Sequence, residues 1–292
     1  MSTTAVRRLD PAEFLKAAGP HLEEAEAENN LLLGIAADLA AHPERAKTPP
    51  FLAVIEEDGE VAGAAVMTPP NRLVISRTGA CGIAELVDHL AAAGIRPPGV
   101  NGHAGTARMF AGLWASRIGA IAKPGMEMRI YRVEATRGVS PDVETPTWAP
   151  GRLREATGAD EELLVRWRRG FHTDAKLAPE SDEALGEAVR RLTAERRQFV
   201  WEDGTPKCMA VWTRPTAHGA CVSGVYTPPE FRRKGYATAC TAALSQFLLD
   251  SGRRFTCLFT NLANPTSNSI YAKIGYRPVC DCAVFDFSPG TA

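Results

Sequence analysis

Apolar and polar positions along the chain follow two periods. Residues 160–171 carry Leu163, Leu164, Trp167 and Phe171 at helical spacing, and residues 183–194 carry Leu185, Val189 and Leu192 in the same way. An apolar helix is predicted over 236–249, stopped by Ser251-Gly252, and a short helix over 266–274. Runs of strand character lie at 152–155, 199–201, 208–212, 220–226 and 255–259, with 276–287 read as two final strands. The first half has a similar order. Helices over 11–18 and 23–41 precede strands at 51–55 and 61–67. A strand near 73–76, helices over 84–93 and 107–118, and a strand over 126–133 follow.

Two echoes suggest that the halves are copies. Each half places an Asp-Gly pair, Asp58-Gly59 or Asp203-Gly204, between β-rich runs, and such a pair supplies the positive φ of a hairpin turn. Arg117-Ile118-Gly119-Ala120 is matched by Lys273-Ile274-Gly275-Tyr276. Asp-Gly is common, so chance similarity stands beside duplication. Between the halves, 137–151 holds Gly138, Ser140, Pro141, Pro146, Pro150 and Gly151 with no apolar period, which is linker composition. The expected organisation is a domain over 1–136, a linker over 137–151 and a domain over 152–292, each mixed α/β.

Charge and composition narrow the function. The 292 residues carry 33 Lys+Arg against 34 Asp+Glu, a net charge of −1. That balance gives no support to nucleic-acid binding or a polybasic membrane anchor. The first ten residues lack the apolar core of a signal peptide, and no apolar stretch reaches the roughly 18 residues of a spanning helix. Seven cysteines without a CxxC pair read as reduced structural thiols of a cytoplasmic protein. Cys280 and Cys282 share one side of a strand, but nothing near them in sequence completes a metal set. The six histidines are scattered, so no metal is expected.

The most informative run is Val225-Tyr226-Thr227-Pro228-Pro229-Glu230-Phe231-Arg232-Arg233-Lys234-Gly235-Tyr236-Ala237-Thr238, which joins a strand to a helix. A helix start leaves about four N–H groups unpaired at the positive end of the macrodipole, so it suits a pyrophosphate. Arg232, Arg233 and Lys234 reinforce that device, and Gly235 permits close approach. Neither G-x-x-x-x-G-K-[ST] nor G-x-G-x-x-G is present. A basic solvated turn before an ordinary helix is the other reading of this segment. A second constellation runs from Asn264 to Tyr276. Asn264 is an N-cap candidate with Pro265 at the first helical position, and Gly275 is a C-cap candidate. Asn264, Asn268 and Tyr271 recur at spacings that share one helix face, which suits an extended amide-bearing ligand. Tyr271 alone also fits a packed core aromatic.

Together the two segments resemble the acyl-CoA-binding motifs of the GNAT superfamily of N-acetyltransferases. The pattern [RQ]-x-x-G-x-[GA] is met by Arg232, Gly235 and Ala237, and Asn…Tyr…Gly-[YF] by Asn264, Tyr271, Gly275 and Tyr276. The resemblance implies two GNAT-like domains, each a twisted, mostly antiparallel sheet flanked by helices. It implies acetyl-CoA as co-substrate and a small-molecule amine or peptide as acceptor, attacked directly. Val225, Tyr226 and Thr227 would pair with the pantetheine arm, a strand N–H near Val225 or Tyr226 would stabilise the oxyanion, and the amides of residues 233–238 would hold the pyrophosphate. Asn264 and Asn268 would contact the arm. Tyr271 matches the general acid that protonates the CoA thiolate. Where many members carry a Glu on the preceding strand, this chain has Ala220-Cys221-Val222-Ser223-Gly224, so no base is named. A non-catalytic acyl-CoA sensor is the alternative, and a homodimer is a candidate assembly.

The first half lacks the device. Its Arg77-Thr78-Gly79-Ala80-Cys81-Gly82 has glycines at other offsets, and Trp114 falls where Tyr271 would. It reads as a degenerate GNAT-like domain, with an unrelated α/β domain as the other reading. Trp167, Phe171 and His172 are candidates for an acceptor pocket, and Arg166, Arg168 and Arg169 for a solvated helix face.

Overall fold

A computed structural model describes residues 3–135 and 149–290. The expected linker lies outside the described residues except at its last three positions. The chain forms two compact units. One comprises Met1–Ile130, Phe259–Asn264 and Pro278–Ala292, and the other Tyr131–Leu258 and Pro265–Arg277. The sequence expectation put everything after 152 in the second domain. The unit boundaries instead place the C-terminal strand with the first.

In chain order the first part gives β1 (Thr4–Arg8), α1 (Pro11–Glu23), α2 (Asn30–Ala41), β2 (Phe51–Glu57), β3 (Glu60–Met67), β4 (Leu73–Ile75), α3 (Ala80–Ala92), β5 (Gly99–His103), α4 (Ala104–Ile118) and β6 (Ala120–Glu134). The second gives β7 (Arg152–Glu155), α5 (Glu161–Asp174), α6 (Asp182–Ala194), β8 (Gln198–Asp203), β9 (Thr205–Thr213), β10 (Gly219–Tyr226), α7 (Tyr236–Asp250), β11 (Phe255–Asn261), α8 (Pro265–Lys273) and β12 (Arg277–Pro289). The two strands expected over 276–287 are one: Asp281, the turn residue midway, stays in the strand and accepts from Arg129 of β6 at 2.6 and 2.9 Å.

The first unit orders its strands β1-β2-β3-β4-β5-β12-β6. β1–β2, β2–β3, β3–β4 and β5–β12 pair antiparallel, and the crossover helix α3 joins β4 to β5 in parallel. The β2–β3 turn has both Asp58 and Gly59 at positive φ, +52° and +86°. Strands β1 and β5 escaped the sequence reading. β5 is short and glycine-rich: a Cβ on Gly102 would stand 2.5 Å from the Ile75 carbonyl oxygen, and one on Gly99 2.3 Å from that of Phe285. Close strand approach, rather than propensity, selects its residues. Helices α3 and α4 cover one face, packing Leu86, Phe110 and Trp114 against Phe51 and Ile75. Phe14, Leu22 and Leu33 cover Leu52 and Val66 on the other face.

The second unit repeats this plan, with strand order β11-β10-β9-β8-β7. Among its described residues the parallel pair is β10 with β11, joined by α7. Leu244 and Leu248 of α7 pack on Ala210 and Val222, while Leu164 and Trp167 of α5 pack on Val200 and Met209. Burying each such large side chain contributes about 1.5–3 kcal/mol. The start of α5 is pinned electrostatically. Arg154 donates to both Asp160 oxygens at 2.8 Å and to Glu202 at 2.9 Å, and Thr157 N–H donates to Asp160 at 2.8 Å. The Arg154 hydrogen bonds hold the Asp160 carboxyl down at about 2.

Candidate functional site

In the second unit the rungs between β10 and β11 run Gly219↔Phe255, Ala220↔Thr256 and Cys221↔Cys257, and stop there. On its other edge β10 breaks register with β9 between Ser223 and Tyr226, where Gly224 adopts φ +57°. A bulge of this kind leaves backbone groups without ladder partners. Val225 therefore lies on strand that is open on both edges, where the sequence placed the N–H for an oxyanion. Thr227 Oγ1 just beyond is enclosed without a hydrogen-bond partner among the described residues.

Residues 227–235 then lead into α7. Arg233 and Gly235 are left-handed, with φ +62° and +82°. Such alternation turns successive N–H groups to one side and forms an anion-binding concavity. It opens directly onto the first turn of a 15-residue helix. Arg233 is exposed at its rim. Lys234 reaches the Glu230 carbonyl at 3.2 Å, and Lys207 from β9, unnoticed in sequence, lies 4.4 Å from the Phe231 ring centroid. Tyr236 anchors the helix start by donating to Asp203 at 2.7 Å. Ala237 and Thr238 complete this first turn and are half-buried.

Arg232 does something else. It donates to the Thr227 carbonyl at 2.9 Å and to Asp174 at 2.5 Å, and its guanidinium lies 5.7 Å from the Tyr226 ring centroid. It thus ties the loop to the end of α5 instead of standing free for a phosphate. Tyr226 sits against Gly170 of α5, where a Cβ would come within 2.3 Å of the phenol oxygen. Burial, and then the charge of Asp174, raise the Tyr226 pKa. Gly170 and Asp174 were missed in sequence because their roles depend on a strand more than fifty residues away. Arg166 and Arg169 pair with Glu162 and Asp182, as a solvated face should. Arg168 is half-buried instead. Phe171 and His172 are half-buried neighbours with ring centroids 6.1 Å apart, beside the buried Trp167.

Tyr271 lies on α8, half-buried, with Tyr131 and Tyr276 rings each 6.2 Å away. Desolvation lifts its pKa to about 12, so the phenol holds its proton throughout the neutral range. Asn268 lies one turn earlier with Oδ1 buried. Asn264 is exposed and precedes α8, but belongs to the other compact unit. Gly275 closes the helix at φ +94°, as expected of a C-cap. Cys282 of β12 has a histidine opposite it after all, His103 of β5, but no metal-holding cluster occurs among the described residues.

The first unit treats the corresponding place differently. Residues 76–79 join β4 to α3, and Gly79 caps the helix at φ −67°. Thr78 is buried and donates to the Ser76 carbonyl at 3.1 Å. Its side chain occupies the space over Gly63 and Gly82, whose Cβ atoms would stand 2.2 and 2.7 Å from it.

Residues 202–284 match the family model described as FR47-like protein. Among solved structures, the chain is similar to a GCN5-related N-acetyltransferase from Sphaerobacter thermophilus, with TM-score 0.63, 14% identity, and coverage of 99% of this chain and 97% of that one. A GNAT-family acetyltransferase from Colwellia psychrerythraea gives TM-score 0.59 and 13% identity over 97% and 99%. A tandem GNAT protein from the clavulanic acid biosynthesis pathway gives 0.56 and 14% over 99% of each chain. At these identities the likeness is one of fold. No curated protein matches the sequence.

Proposed function

We propose that this chain, a member of the GNAT superfamily by its fold and its FR47-like segment, is an acetyl-CoA-dependent N-acetyltransferase whose working site is in the second unit. The observation that carries the reading is the juncture of β10 and α7. A strand that parts from β11 after Cys221 and breaks register with β9 after Ser223 runs into a left-handed loop and then into the open N-terminus of α7. An extended amide-bearing arm suits the first of these and a diphosphate suits the last.

The chemistry follows from the groups available. The acceptor amine attacks the thioester carbonyl directly. The N–H groups of the bulge at residues 224–226 are preorganised donors for the oxyanion. Tyr271, protonated because it is desolvated, donates to the departing thiolate. Asn268 contacts the arm, and Arg233 and Lys234 add positive charge beside the diphosphate. Asn264 is assigned to the arm only through the motif it begins. The acceptor is a small amine or a peptide amine approaching from the α5 side, past Tyr226 and Phe171. The seven free thiols support a cytoplasmic setting.

Calorimetry with acetyl-CoA, followed by thiol release over a panel of amines, tests the reading. Saturable uptake with amine-dependent CoA release is expected. No uptake by the folded protein would overturn it, and uptake without release from any amine would favour a sensor.

A further inference from the structure

Below the point where β10 and β11 part lies a pair of sulfurs that the acyl-transfer reading does not use. Cys221 and Cys257 are register partners on adjacent parallel strands, so their side chains leave the same face of the sheet. Both are fully buried. Arg214 follows β9 in a left-handed conformation, φ +49°, and its Nη2 lies 2.8 Å from Cys221 Sγ. The arginine is half-buried, with Nε enclosed.

A guanidinium does not give up its proton in a protein, so a sulfur at this distance gains most as an anion. The surroundings favour that form. A hydrogen bond from the Cys257 thiol, then the Arg214 charge and hydrogen bond, then Thr213, bring the Cys221 pKa down to about 6 against the upward pull of burial. Against them, Cys221 Sγ lies 3.5 Å from the Val222 carbonyl, an acceptor that favours the protonated thiol, but this is one neutral contact against the Arg214 charge and three donors. Tyr271 and Tyr276, the other titratable groups acting on the pair, are both held protonated by desolvation.

We propose that Cys221 and Cys257 form an oxidisable dithiol that reacts with hydroperoxides, with Cys221 as the attacking thiolate and Cys257 as the resolving thiol. Neighbouring strands stand about 4.8 Å apart, within the span of Cα separations a disulfide bridges. In the first step the Cys221 thiolate takes one peroxide oxygen and becomes a sulfenic acid, while the other oxygen leaves as hydroxide. In the second, the Cys257 sulfur displaces that oxygen as water and its own proton goes with it. The two cysteines lose two electrons and the peroxide gains them. The product bolts β10 to β11 at their last rung and removes the anion beside Arg214. This site stands independently of any coenzyme binding.

The test uses the intact chain and hydrogen peroxide. Peptide mapping without reductant should show residues 221 and 257 cross-linked, with loss of two hydrogens. Exposed Cys81 is followed separately on its own peptide. The rate of bridging should rise with pH about a midpoint near 6. In Cys257→Ser, dimedone should trap a sulfenic acid at Cys221 without a cross-link. Arg214→Met should slow bridging on the order of tenfold at neutral pH, since thiolate is lost while nucleophilicity partly compensates, and Arg214→Lys should recover most of it. The proposal falls if wild-type protein resists peroxide that oxidises its unfolded form. It falls equally if another cysteine pair bridges first, or if the midpoint lies at an ordinary thiol value. The wild-type pH profile decides the matter even where a variant fails to fold.

Discussion

The two units answer the same topological problem with different loops. Each ends an antiparallel run in one parallel pair and crosses over through a helix. In the first, residues 76–79 make the connection, and Thr78 fills the space over Gly63 and Gly82. In the second, residues 227–235 make it, two of them left-handed, and the helix start stays open. A shared topology therefore offers the same juncture twice, and loop length with one side chain leaves it open in the second unit, where a phosphate is proposed, and packed in the first.

Exchanging the loops breaks this comparison most severely. Replacing residues 227–235 by the four that follow β4 should abolish acetyl-CoA uptake in calorimetry while circular dichroism stays native. Next comes the proposed proton donor. Tyr271→Phe should lower kcat by about 10²-fold or more with little change in acetyl-CoA affinity, as loss of a general acid does. Trp114, the first unit's aromatic at the matching place, should tolerate Phe with unchanged turnover, although stability falls because it is fully buried.

Much of the architecture was legible beforehand because it rests on local signals. The Asp58-Gly59 turn, the stop at Gly252 and the cap at Gly275 all adopt the positive φ their sequences announce. The run from Val225 to Thr238 was legible as a strand, loop and helix start for the same reason. Contacts distant in sequence were not legible. The charges of Arg232 and Asp174 meet across 58 positions, and Lys207 reaches Phe231 from another strand. β5 was hidden because its glycines answer to Ile75 and Phe285, residues no local window contains.

Smaller effects sharpen the contrast. Gly170→Ala adds a methyl group where the Tyr226 phenol sits, so kcat/KM for the amine should fall roughly tenfold, in line with a packing cost of about 1–3 kcal/mol. The smallest effect concerns stability. Asp160 lies at about 2 in the folded chain, below the ordinary 3.8. Its contribution is complete above pH 4 or so and disappears as pH falls through about 2. Asp160→Asn should lower Tm at neutral pH, and the gap to wild type should close toward that limit. The first unit's Arg7–Glu56 pair at 2.7 Å is more exposed. Glu56→Gln should change stability by no more than about 1 kcal/mol.

The position of β12 governs how the protein is made. Cys282, Val284 and Asp286 pair with His103, Asn101 and Gly99, so the sheet opened by residues near the start of the first unit is completed only about 180 residues after β5 is synthesised. A gene fragment ending near residue 136 would encode a sheet with a strand missing from its interior, next to β5. The first half is then not a module that can be cut away with its sheet entire.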